Sequence, residues 1–237
     1  MKSLQEQETE LLQKESGILT AKLQRRSFLQ YAGAGVAGVA LIAAGCKKDK
    51  STPGLDSGVD LGTGDIGILN YAYALEQLEG AFYDAVVKSP YASISPAELS
   101  LLTDIRDHEL AHREFFKKAL GTSAIVGLEV NFSSINFADR TSVLATAKAF
   151  EDLGVSAYNG AGKLLKTAKY LEVAGKIVSV EARHAALIRD LISNGTFADA
   201  TTVDGNGLDV ARTPIQVLTI AKTYIKTAVN ASNLPTS

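Results

Sequence analysis

Apolar residues recur at intervals of three and four in four long stretches of the chain, separated by segments rich in turn residues. From Asp65 to Lys88 the positions Ile68, Leu69, Ala72, Leu75, Leu78 and Phe82 keep the period of a helix with one buried face. Asp65 is the predicted N-cap. Ser89-Pro90 ends the stretch, because proline disfavours helix for the residue before it. Ser95-Pro96-Ala97-Glu98 then opens a second helix as a capping box with proline at its first position, and Gly121 follows its end at Leu120. A third helix is predicted from Ala138 to Leu165 and a fourth from Ala168 to Asn194, closed by Gly195. A shorter one runs from Thr213-Pro214 to Val229 and is expected to cover one end of the bundle or meet a partner.

Connection lengths constrain how these helices assemble. Tight turns join the first to the second and the third to the fourth, which makes two antiparallel hairpins. The link from Gly121 to Phe137 is longer, and fully extended it reaches roughly 55 Å. A helix of about 25 residues is only about 37 Å long. The link can therefore cross the height of the bundle. The expected fold class is all-α: a four-helix bundle over 65–195, two hairpins joined by one long crossover, plus a short C-terminal helix within the extension 196–237.

The hairpins repeat one another. Ala74-Leu75-Glu76-Gln77-Leu78 aligns with Ala149-Phe150-Glu151-Asp152-Leu153, and Tyr83 falls on Tyr158. Glu109-Leu110-Ala111-His112 aligns with Glu181-Ala182-Arg183-His184. The step from Glu76 to Glu151 exceeds the step from Glu109 to Glu181 by only three positions, which marks a divergent two-fold repeat.

The repeated positions carry the chemistry. Glu109 and His112 are three apart, as are Glu181 and His184, so each pair projects from one helix face. The helical rise from Glu76 to Lys88, and from Pro96 to Glu109, puts both glutamates roughly 18–20 Å from their shared turn. Glu151 and Glu181 reach a similar height. Carboxylates inside an apolar bundle are costly unless they are paired or bound to metal. Four together repel one another unless some protonate or cations join them. Two divalent ions cancel four charges, and oxygen ligands with one imidazole per ion suit iron or manganese. A Glu from each of two helices and Glu-x-x-His from each of the others is the donor set of di-iron and di-manganese carboxylate proteins.

These motifs resemble the ferritin-like superfamily over about 65–195. More narrowly, Ile68 to Glu79 (ILNYAYALEQLE) and Val180 to Ala185 (VEARHA) look like exported ferritin-like proteins of the desiccation-related type. The resemblance implies a ferritin-like bundle with Glu76, Glu109, His112, Glu151, Glu181 and His184 as metal ligands. Glu79 shares the face of Glu76 and is a candidate extra or bridging ligand, with Gly154 as its repeat counterpart. His108 projects about 100° from Glu109 and is expected at the surface or in a local hydrogen bond. Tyr83 and Tyr158, two turns from Glu76 and Glu151, read as buried hydrogen-bonding tyrosines.

The chain before the bundle reads as an address. Arg25-Arg26-Ser27-Phe28-Leu29 precedes a Gly/Ala-rich run from Tyr31 to Gly45. That run is shorter than the roughly 20 residues that span a bilayer as a helix. The arginine pair resembles the twin-arginine signal, which carries folded proteins across the bacterial membrane. Leu41-Ile42-Ala43-Ala44-Gly45-Cys46 resembles a lipobox, with Cys46 lipidated and residues 1–45 removed. Residues 46–64 would then be a flexible tether. The expected location is the bacterial cell envelope, held to the membrane by the lipid.

Composition narrows the partners. The net charge is -2, and acidic residues still slightly outnumber basic ones once the first 45 positions are set aside, which disfavours nucleic acid. The single cysteine excludes an intrachain disulfide or a zinc ribbon, and the chain has only three histidines. The functional expectation is an oxidoreductase-type centre of two iron or manganese ions, acting on dioxygen, peroxide or ferrous iron. The alternative is a non-catalytic envelope protein of stress tolerance or partner binding, braced by a structural metal site. A lipid and a tether on each subunit suit membrane attachment better than a closed storage shell, and a homodimer is a candidate assembly.

Overall fold

Four long helices occupy the four apolar stretches in the computed structural model, which describes residues 57–236. They are α1 (Gly64–Lys88), α2 (Pro96–Leu120), α3 (Arg140–Gly162) and α4 (Ala168–Ile192), followed by α5 (Pro214–Ala221). The twin-arginine motif, Cys46 and residues 47–56 lie outside the described residues. Helix α1 packs along α2 and α3 along α4; α1 also meets α3, and α5 lies on α3. The fold is the expected all-α bundle of two hairpins with a short C-terminal helix.

Helix ends follow local chemistry, with three departures from expectation. Asp65 does not cap α1, whose N-cap position is Thr63. The Asp65 carboxylate instead accepts the backbone N–H of Lys166 and Thr167 at 2.8 Å each, tying the start of α1 to the turn before α4. Ser95 caps α2 by accepting the Glu98 N–H. The Glu98 side chain does not complete the box, because it accepts from the Tyr91 hydroxyl and the Arg140 guanidinium. Asp139 caps α3 through the N–H groups of Thr141 and Ser142. The full reciprocal box stands at Thr213 and Gln216, opening α5.

The final helix stops at Ala221, well short of Val229. Beyond it, Tyr224 and Lys226 bond the crossover backbone at Asn131 and Glu129, and the chain then forms β2 (Val229–Asn230). Strand β2 pairs in parallel with β1 (Val59–Asp60). Residues 57–63, expected as the end of the tether, are thus docked on the domain, and Leu61 is fully buried. A pairing between segments from opposite ends of the domain leaves no local trace in either.

These coverings explain why α1 is buried on nearly every side, from Gly67 to Gly80 without a break. Crossover residues 121–139 and the C-terminal segment shield its outer face. Asn70, 2% exposed, is the pin. Its Nδ2 donates to the carbonyls of Leu61 and Ser123, and its Oδ1 accepts the Ile125 N–H at 3.0 Å. On the other hairpin, buried Arg189 grips Asp152 with two hydrogen bonds and reaches Asp199 and Thr201, holding the C-terminal extension to α4. Asn70→Ala leaves the buried Leu61 carbonyl and Ile125 N–H without this partner and should cost roughly 2–4 kcal/mol. Urea unfolding reads this as a lower midpoint, and an unchanged midpoint would refute the role of Asn70 as a clasp.

Candidate metal centre

All four long helices deliver a glutamate to one level of the bundle interior. Glu76 comes from α1, Glu109 from α2, Glu151 from α3 and Glu181 from α4, and each is 0% exposed. His112 and His184 stand one turn along from Glu109 and Glu181, on the same faces. The six side chains form two overlapping sets: Glu76, Glu109, His112 and Glu181; and Glu109, Glu151, Glu181 and His184. Within each set the donor atoms lie within 4.8 Å of one another. Glu109 and Glu181 belong to both.

The two kinds of carboxylate differ in how many oxygens are committed. Tyr83 donates its hydroxyl proton to Glu151 Oε1 at 2.5 Å, and Tyr158 donates to Glu76 Oε1. Each tyrosine thus serves the glutamate of the other repeat, and each leaves one oxygen, Oε2, without a partner. Glu109 and Glu181 have both oxygens unpartnered. Together with the Nδ1 atoms of His112 and His184, the six residues supply eight of the ten buried unpartnered side-chain atoms among the described residues. His184 Nδ1 lies 2.8 Å from Glu109 Oε1, and His112 Nδ1 lies 3.0 Å from Glu181 Oε1. Neither approach has hydrogen-bond geometry. Unpartnered buried polar atoms are rare in folded proteins, and eight that converge fit cations placed among them. Two terminal oxygens, two imidazole nitrogens and two carboxylates able to bridge match the needs of two ions.

The electrostatics agree. Burial pushes Glu76 up to about 7, tempered by His112 and reinforced by Glu109. Burial and the negative charge of Glu109 raise Glu181 well above the usual carboxylate range, and burial raises Glu151. Glu109 goes the other way: burial would raise it, but His112 and His184 outweigh that and hold it at about 2. Burial should depress both imidazoles, yet their carboxylate neighbours push His112 up to about 12 and His184 to about 10.

Glu79 belongs to neither set but faces the same interior. Burial and the surrounding carboxylates, Glu181 foremost, raise it well above the ordinary range. It has room because its repeat counterpart is Gly154, where a Cβ would stand 3.0 Å from Glu79 Oε1. His108, expected at the surface or in a local bond, is exposed and bonds His184 across the helices. Sequence spacing singles out all six converging residues. It misses the crossed tyrosine pairing and the His108 contact, since both depend on how the hairpins face each other. The one available sign is that Tyr83 and Tyr158 occupy matched repeat positions. Tyr158 also walls a small apolar cavity of about 30 Å³, with Ala72, Leu75, Phe116 and Ala161.

Residues 64–194 fit the family model described as a ferritin-like domain, which is more than half of the chain. No curated protein matches the chain.

The raised groups make a prediction about protons. Ion binding needs ionised carboxylates and a bare Nδ1 on each imidazole. Glu76, near 7, is partly protonated at pH 7 in ion-stripped protein, burial and Glu109 push Glu181 upward, and both imidazoles hold protons there. Adding Mn²⁺ at pH 7 should release protons, seen with an indicator in weak buffer, and binding should weaken as pH falls. Zero release, or tighter binding at lower pH, would contradict this electrostatic picture.

Proposed function

As the chain belongs to the ferritin-like domain family, we propose that its interior cluster holds two iron or manganese ions and uses them in redox chemistry. The observation that carries this is the convergence of eight unpartnered donor atoms from four helices. Glu76 and His112 would hold one ion, Glu151 and His184 the other, and Glu109 and Glu181 both. When bound, such a pair of ions would give electrons to dioxygen or peroxide, or take them from ferrous iron.

The protein's own groups orient and insulate this centre. Tyr83 and Tyr158 lock one oxygen of Glu151 and of Glu76, so that each presents the other oxygen inward. The apolar layers around Phe82 and Phe150 keep bulk water out, which strengthens every charge interaction inside. Glu79, whose carboxyl is pushed up by burial and by the neighbouring carboxylates, stands beside the ligands, where it would serve a reaction that consumes protons. The cavity beside Tyr158 exceeds the roughly 10–15 Å³ that one water needs, and its carbon lining suits a small apolar molecule such as dioxygen.

Elemental analysis of protein purified from native membranes tests the metal assignment. About two Fe or Mn per chain are expected in wild type. Glu109→Ala, which removes a shared ligand, should lose most of both ions, whereas Glu76→Ala should retain about one. Well-folded wild type without stoichiometric Fe or Mn would end this reading. Protein with two ions that neither consumes dioxygen or peroxide nor oxidises ferrous iron would instead favour a non-catalytic brace.

For location, the reading rests on sequence. Arg25-Arg26 and the run ending at Cys46 support twin-arginine export and lipid anchorage at the bacterial envelope. Among the described residues no helix is long and apolar enough to cross a membrane. Cys46→Ser should move the protein from the membrane fraction to the soluble fraction and abolish labelling by a fatty-acid analogue. Unchanged membrane association would remove the anchor.

A further inference from the structure

His108 is the histidine left out of the ion ligands, and it is one of the positions where the internal repeat breaks. With Glu109 aligned on Glu181, His108 aligns on Val180. Its Nδ1 lies 2.9 Å from Nε2 of His184, on the side of the ring opposite the cluster. The other ring nitrogen of His184, Nδ1, faces Glu109 and Glu151. The two rings are within 9° of parallel, and their centroids are 5.1 Å apart. Nearly parallel planes cannot be much farther apart than the closest atoms linking them, and 2.9 Å is thinner than a face-to-face stack. The rings therefore lie side by side. The line between the nitrogens runs close to both ring planes, as a hydrogen bond to an imidazole lone pair requires.

Resting on the reading of His184 as an ion ligand, we propose that His108 is a positioning residue that fixes His184 for coordination through Nδ1, so that the ion position of Glu151 and His184 is the tighter of the two. A neutral imidazole carries one ring proton. If the Nδ1 lone pair of His184 faces an ion, that proton sits on Nε2 and is donated to His108 Nδ1. His108 then carries its own proton on Nε2. This contact orients the His184 ring and makes its Nδ1 a stronger donor, and losing such a partner typically weakens metal binding about 10–100-fold. His112 has no equivalent. Valine at the repeat position of His108 has nothing to accept a proton, and among the described residues no hydrogen bond reaches His112 Nε2. The His112 side chain is also more open, 13% exposed against 4% for His184. The two ion positions are built from the same ligand types, and the His108 contact is made at one of them alone. The first ion should settle beside His184, and the ion beside His112 should be the exchangeable one.

Equilibrium dialysis of Mn²⁺ against ion-stripped full-length protein tests this, with thermal melting of the same ion-stripped samples alongside. Wild type should show two binding steps, and Glu76→Ala should remove the weaker one. His108→Ala should weaken the tighter step about 10–100-fold and leave the ion-stripped melting temperature unchanged. His108→Asn, whose side-chain oxygen can accept the same proton, should restore most of the tight step. The inference is overturned if wild type binds two ions identically, if His108→Ala leaves the tight step intact, or if it weakens only the step that Glu76→Ala removes. Wild type that binds no Mn²⁺ at all would overturn both this inference and the metal centre, whereas two ions bound without effect of His108 would overturn the inference alone.

Discussion

Four carboxylates with no solvent exposure, one from each long helix, face a common interior point. Leaving charges in such a place without compensation is among the most expensive things a fold can do. The structure shows how far the protein's own groups go towards compensating them. Two tyrosines satisfy one oxygen each, and two imidazoles approach the rest without hydrogen-bond geometry. What remains is a set of aimed lone pairs that cations would complete. The rest of the bundle can be understood as the frame that holds those lone pairs still.

The frame is a duplicated hairpin whose copies have diverged around the centre. Each tyrosine crosses to the other copy, so neither hairpin satisfies its own glutamate and the pocket exists only when both are assembled. Glu79 in one copy and Gly154 in the other cannot be exchanged independently, because the carboxylate fills the space that the missing side chain leaves. His108 and Val180 form a second such mismatch on the outer side of the ligands. Around this, the two-residue strand pair and the crossover wrap α1, which explains why a helix so thoroughly buried contains Asn70 and Gln77: both reach out to the wrapping backbone.

Much of this is legible in the sequence, for local reasons. Capping residues, the proline at the start of α2 and the period of the apolar positions depend on neighbours within a turn or two. The repeat then brings Glu76, Glu109, His112, Glu151, Glu181 and His184 to one height by counting alone. Features set by distant contacts are not legible. Asp65 looks like a cap and in fact binds the turn before α4. The last helix looks about twice its length, because Val229 and its neighbours serve a strand and the crossover instead. The tether reads as running to residue 64 because nothing near Leu61 announces a partner at Asn230. The angle of His108 on α2 does point away from Glu109, but only the placement of α4 reveals the imidazole it meets there.

Anomalous diffraction from a crystal of protein purified with its native metal, collected at the iron and manganese absorption edges, addresses the central claim most directly. Two peaks are predicted, one between Glu76 and His112 and one between Glu151 and His184, both within bonding distance of Glu109 and Glu181. A bundle with this geometry, no anomalous peak and the same four carboxylates ordered around water would contradict it.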